Sequence, residues 1–152
     1  MKIKQSVILA LGMLCLCLGL RGQEQKVSSR DVPEAVRTAF AKAYPTAKVG
    51  NWDKEIKDGK VVYEAEGVTD GKISRNVMYS ADGNVVQIEE TMPVTDLPVS
   101  ITGPVSKQYP KAVIQSAERR MHGESVEYVL KLKGATIKKV VVDSEGKIIS
   151  TK

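Results

Sequence analysis

Glu64 and Glu66 stand two residues apart, and Asp53 and Glu55 repeat that spacing eleven residues upstream. On two adjacent strands, period-two alternation places all four carboxylates on one sheet face. Such a cluster has the chemistry of a cation site or of an acid–base pair. Calcium, however, prefers six to eight oxygens from a shaped loop, and no segment here has the spacing of an EF-hand loop. With Lys54, Lys57 and Lys60 interleaved, the expected reading is a solvated sheet face that carries no metal.

Other reactive side chains are scarce. His122 is the only histidine, and Cys15 and Cys17 are the only cysteines. No Ser/His/acid or Cys/His set can be assembled from these residues, so no catalytic residue, enzymatic activity or cofactor is expected. Beside Gly123, His122 is expected to be an exposed residue of a hairpin turn.

The chain has 152 residues and a formal charge of +5, with 42% hydrophobic and 5% aromatic residues. Three of the basic residues, Lys2, Lys4 and Arg21, lie in a segment that reads as a secretory signal spanning residues 1–22. Lys2 and Lys4 form its positive region and Val7 to Leu20 its apolar core, too short for a membrane anchor. The residues ahead of Cys15 and Cys17 lack the small side chain expected before a lipidated cysteine. Export to the periplasm or beyond is expected, with no stable membrane insertion after cleavage. The exported part would be free of cysteine, so packing alone must stabilise it.

The remaining charge is unevenly spread. Residues 32–92 hold eight basic and ten acidic side chains, whereas residues 97–152 hold ten basic and five acidic ones. Nucleic acid is not an expected partner, because a binding patch needs stacking aromatics among its basic groups. The lysine excess, from Lys131, Lys133, Lys138 and Lys139, suits edge protection or the steering of a partner.

These side chains must be positioned by a repeated unit. Shifted by 65 residues, Lys42-Ala43-Tyr44-Pro45 falls on Lys107-Gln108-Tyr109-Pro110, and Val32-Pro33 on Leu97-Pro98. At an offset of 63, Asp82-Gly83 falls on Glu145-Gly146. Ordered agreement over a whole unit indicates an internal repeat. The expected organisation is a signal peptide at 1–22, an extension at 23–31, one repeat at 32–92, a linker at 93–96 and a second repeat at 97–152.

Each repeat opens with a helix. In the first, Pro33 suits the first helical position, Asp31 the cap, and Val36, Phe40 and Ala43 a buried stripe. Tyr44-Pro45 ends it. The second helix, near Val99 to Gln108, holds Gly103-Pro104 and is expected to be kinked or split. Four strands follow in each repeat, at about 47–57, 60–68, 73–80 and 85–92, then 112–121, 126–133, 136–143 and 147–151. Turn pairs such as Asp58-Gly59, Asp70-Gly71 and Asp82-Gly83 indicate antiparallel hairpins.

Alternation directs Trp52, Ile56, Val61, Tyr63, Ala65, Val77, Tyr79, Val86 and Ile88 toward the first helix. Ala117, Met121, Val126, Tyr128, Leu130, Leu132, Val140, Val142 and Ile149 should face the second. The opposite, wet face would carry Asn51, Asp53, Glu55, Glu64, Glu66, Asn76, Met78, Gln87 and Glu89. Its continuation is Ser116, Glu118, Arg120, Glu127, Val129, Lys131, Lys133, Lys139 and Val141. Two units of about 60 residues, each marginal alone, are expected to share a core.

The pattern resembles the PepSY-like, β-lactamase-inhibitor-like family of exported Bacteroidetes proteins. The residues that carry the resemblance are Val32-Pro33-Glu34-Ala35-Val36, Ala43-Tyr44-Pro45-Thr46-Ala47, Trp52-Asp53-Lys54-Glu55, Tyr63-Glu64-Ala65 and Tyr79-Ser80-Ala81-Asp82-Gly83-Asn84. The second copy departs from it at Ala117, which replaces Trp52, and at Gly103-Pro104. The resemblance implies an α+β fold of two tandem helix-plus-four-stranded antiparallel meander units, like β-lactamase inhibitory proteins. It also implies a non-enzymatic module that binds a protein through its sheet.

The expected interaction surface is Asp53, Glu55, Glu64, Glu66, Asn76, Met78, Glu89, Arg120, Lys131 and Lys139. Its partner is an unidentified protein, an exported enzyme among the candidates. The alternative function is a periplasmic sensor of envelope stress that holds a small ligand or peptide between the units, near Met92–Asp96.

Overall fold

The computed structural model describes residues 24–70 and 73–152. The signal segment and the Asp70-Gly71 turn therefore lie wholly or partly outside the described residues. Nine strands form one antiparallel sheet whose spatial order is its chain order. They are β1 (Gln25–Val27), β2 (Asn51–Lys57), β3 (Lys60–Asp70), β4 (Ile73–Ser80), β5 (Val85–Met92), β6 (Val113–His122), β7 (Ser125–Lys133), β8 (Lys139–Asp143) and β9 (Ile148–Thr151). Helix α1 (Glu34–Ala43) precedes β2, and α2 (Val99–Gln108) precedes β6.

Strand β1 is an addition to the expected plan. It lies in the 23–31 extension and pairs with β2, setting Val27 opposite Trp52 and Lys26 opposite Asp53. Three residues of alternating character are too short a signal to read from sequence. The 93–96 segment contains a 3₁₀ turn, Val94–Asp96, and β5 pairs directly with β6 so that the sheet is continuous.

Both helices pack on one face. Val36 and Phe40 of α1 join Trp52, Tyr63, Ala65, Val77 and Tyr79 in one buried cluster. Ile101 and Val105 of α2 join Ala117, Leu130, Leu132, Val140 and Val142 in a second. The expected single shared core is thus replaced by two clusters. On β5 and its neighbours, Glu90 separates them, bridged to Arg75 at 3.3 Å and Arg119 at 2.5 Å. Trp52 meets Phe40 edge-on at 5.4 Å, a favourable aromatic geometry.

Several helix details differ from expectation. Pro33 is the cap residue rather than the first helical one and supplies no side-chain cap. Asp31 belongs to a preceding 3₁₀ turn, Ser29–Asp31. Ala43 is exposed, and Ala39 with Tyr44 completes the α1 stripe instead. Helix α2 runs unbroken through Pro104, because only one backbone hydrogen bond is lost and the buried Ile101 and Val105 hold the stripe in place.

The alternation fails where strands outrun the helix or slip register. Ile56 and Val61 pair at the far end of the β2–β3 hairpin, beyond α1, and are exposed. A register shift between Val141 and Val142 sets Ile148 opposite Val142. Ile148 packs on the second cluster, and Ile149 is exposed. A similar shift at Met78/Tyr79 places Val85 rather than Val86 opposite Tyr79.

Candidate functional site: the helix-free face of the sheet

The ten expected surface residues all project from the face opposite the helices, because along each strand they occupy the alternate positions to those that enter the two clusters. Pairing extends this face across the molecule. Lys26, Asp53, Glu64, Met78 and Gln87 form one cross-strand row. Asn76, Glu89, Arg120, Glu127 and Asp143 form another. Ser116, Lys131 and Lys139 form a third row across β6, β7 and β8.

The face is less wet than its alternation implies. Asp53 is fully buried, at 0% exposure, and Met78, Gln87 and Val129 are also buried. Glu55, Glu64, Glu66, Asn76, Glu89, Arg120 and Lys139 are half-buried, and Lys131 alone of the ten is exposed. Alternation reports the side of a strand but not how closely long side chains crowd over their shorter neighbours, which is why Asp53 and Met78 were expected in solvent.

At the β2–β4 end the charge is negative. Burial, and then the nearby carboxylates of Glu55, Glu89, Glu66 and Glu24, push Glu64 up to about 7. Glu66 is also raised, first by burial and then by Asp53. Glu66 lies where β3 shifts register between Ala65 and Val68. Its carbonyl accepts the Gly50 N–H at 2.9 Å. The Gly67 N–H donates to Asn76 Oδ1 at 3.0 Å, so Asn76 is engaged in holding this bulge rather than free for a partner.

The centre is knitted by side chains. Lys57 Nζ donates to Gln87 Oε1, and Gln87 Nε2 donates to Glu89 Oε1 at 2.5 Å. Arg120 Nε donates to the same Glu89 oxygen at 2.7 Å. Beyond Arg120 its own row continues through Glu127 and Asp143, and the neighbouring row is basic through Lys131 and Lys139. A cleft of about 260 Å³ opens there, lined in part by Arg120, Glu127, Lys139 and Lys152. Larger clefts of about 530 and 480 Å³ lie at the β1 end, against Trp52 and Glu55 respectively. Neither is lined by residues of the Met92–Asp96 segment, where a ligand cleft was expected.

The structure places His122 at the end of β6, half-buried and paired with Ser125, not in the turn itself. Sequence reading missed Glu24 as a member of the acidic group, since its place depends on the short β1. It also missed Glu90 and Arg119, whose cross-strand pairing follows from the β5–β6 junction between repeats.

Among the described residues, no helix is long and apolar enough to cross a membrane. No curated protein matches the chain. Its backbone is similar to the solved structure of a BLIP-like protein from Bacteroides fragilis, with 20% identity and a TM-score of 0.61 over 79% of this chain and 85% of that one. A DUF2874 family protein from Bacteroides ovatus gives 20% identity and 0.64 over 79% and 86%. A protein of Bacteroides eggerthii, described as a "putative periplasmic" protein, gives 14% and 0.64 over 80% and 88%. These likenesses establish an α+β, BLIP-like fold. The family model described as "Putative beta-lactamase-inhibitor-like, PepSY-like" matches residues 20–70 and 62–150, and the chain belongs to that PepSY-like family.

Proposed function

We propose that the protein is an exported, non-enzymatic module that docks a protein partner on the helix-free face of its sheet. The observation that carries this reading is the uneven distribution of charge along that face. Glu24, Glu55, Glu64 and Glu66 crowd one end, whereas at the other Lys131 stands opposite Lys139, beside a mixed row in which Arg120 lies between Glu89 and Glu127. Opposed charge of this kind steers and orients an approaching partner more than it adds affinity. The signal-like residues 1–22 and the periplasmic description of the Bacteroides eggerthii neighbour support action in the periplasm.

Capture from periplasmic extract tests the reading. The protein should retain a partner that the Lys131→Glu/Lys139→Glu variant retains at least about tenfold less well at low salt. Failure to retain any partner under several growth conditions overturns the reading. Equal retention by the variant removes docking from this face.

A further inference from the structure

We propose that Glu24, Asp53 and Glu66 form a site for a hard divalent cation, calcium above all, that fastens β1 to the body of the sheet. Three segments converge there. Glu24 immediately precedes β1, Asp53 lies within β2, and Glu66 sits at the bulge of β3. One carboxylate oxygen from each lies within 4.8 Å of the other two.

The second observation concerns Asp53 itself. Its side chain is fully buried, and neither Oδ1 nor Oδ2 has a hydrogen-bond partner. A buried carboxylate without a partner is strongly unfavourable and calls for a counter-charge or a proton. Lys26 stands opposite Asp53 in the β1–β2 pair, but it is exposed, and among the described residues it makes no ion pair. The Gly50–Glu66 and Gly67–Asn76 hydrogen bonds fix the backbone of the bulge on either side of the Glu66 side chain.

The donor set selects the ion. All three side chains offer carboxylate oxygens and none offers nitrogen or sulfur, which suits calcium or magnesium rather than zinc or copper. Three carboxylates supply up to six oxygens, and water can complete calcium's shell of six to eight. Magnesium holds its own water more tightly and accepts fewer carboxylates, so calcium is the better match. The consequence is structural: a three-residue edge strand, weak by itself, would be tied to two neighbours through one ion.

Thermal unfolding and backbone hydrogen exchange of the purified protein test this at neutral pH. The conditions are EDTA, millimolar CaCl2, millimolar MgCl2, and NaCl at matched ionic strength. Calcium should raise the Tm by about 3 °C or more over NaCl and slow exchange at Gln25–Val27. Glu24→Gln changes an exposed side chain and should fold normally, yet lose at least half of both responses. Asp53→Asn should lose them entirely. Equal behaviour in calcium, magnesium and NaCl overturns the proposal, as does an undiminished calcium response in Glu24→Gln. Stabilisation on acidification that Asp53→Asn abolishes, without a response to either ion, would assign the site to a shared proton and also overturn it. None of these outcomes depends on partner docking.

Discussion

Gly146 presses on the carbonyl of Ser100: a Cβ at residue 146 would lie 2.2 Å from that oxygen. Gly83 stands in the same relation to Ala35 in the first repeat, where the distance would be 2.7 Å. In both repeats the turn before the last strand is therefore seated on the first turn of the helix. The closer approach occurs where Pro104, four residues after Ser100, lacks the N–H that would otherwise meet its carbonyl. Both glycines also have positive φ, 86° and 94°. Gly146→Ala should destabilise the protein by about 2 kcal/mol or more, and Gly83→Ala by somewhat less, in urea unfolding. Equal stability of Gly146→Ala and the parent would show that this turn is not seated on α2.

Glu90 joins the two repeats on the helix side of the sheet. Its carboxylate meets Arg75 of β4 and Arg119 of β6, and the Arg75 guanidinium lies 5.2 Å from the centre of the Tyr44 ring. Glu90→Gln leaves two cations facing a neutral amide, with Arg75 only 12% exposed. It should cost about 1–3 kcal/mol. Arg119→Ala should cost less than about 1 kcal/mol, since that side chain is 43% exposed. Chemical denaturation of both variants checks the ranking, which a larger loss at Arg119 would reverse.

Much of this architecture was legible in the residues. The repeat offset placed a helix at the head of each repeat, with Tyr44-Pro45 and Tyr109-Pro110 at corresponding positions after them. Hairpin turns were marked by Asp58-Gly59, where both residues adopt positive φ. What escaped was set by contacts remote in sequence. Asp53 and Glu64 alternate with core residues and were placed correctly on the helix-free face, but their burial arises from neighbouring strands. Ile149 was misplaced because the β8–β9 register skips it in β9, which sets Ile148 rather than Ile149 opposite Val142. Helix α2 was expected to break because a propensity penalty was weighed without the packing of Ile101 and Val105, which outweighs it.

Exposure beyond the helix divides apolar residues that look equivalent in the alternation. Ile56 is 57% exposed, whereas Trp52 on the same face of β2 lies against Phe40. Trp52→Ala should cost about 3–5 kcal/mol. Ile56→Thr should change stability by no more than about 0.5 kcal/mol. Paired thermal melts decide the matter, and comparable losses for the two variants would mean that the β2–β3 hairpin tip is covered.

Glu64 makes stability depend on pH in a defined window. Its carboxyl, pushed up to about 7 by burial and neighbouring carboxylates, has an unperturbed value of 4.5. Between these values the folded protein holds a proton that the unfolded chain has released, so stability falls as pH rises. The penalty is absent below about 4.5, grows through the window, and is complete above about 7. Glu64→Gln removes the ionisation and keeps the shape. In EDTA, so that no cation masks the effect, the variant should exceed the parent by about 1–2 kcal/mol at pH 8, after allowance for the partial exposure of the site. At pH 4 the two should be equal. A constant difference at both pH values would mean that Glu64 acts through packing or hydrogen bonding rather than through its charge.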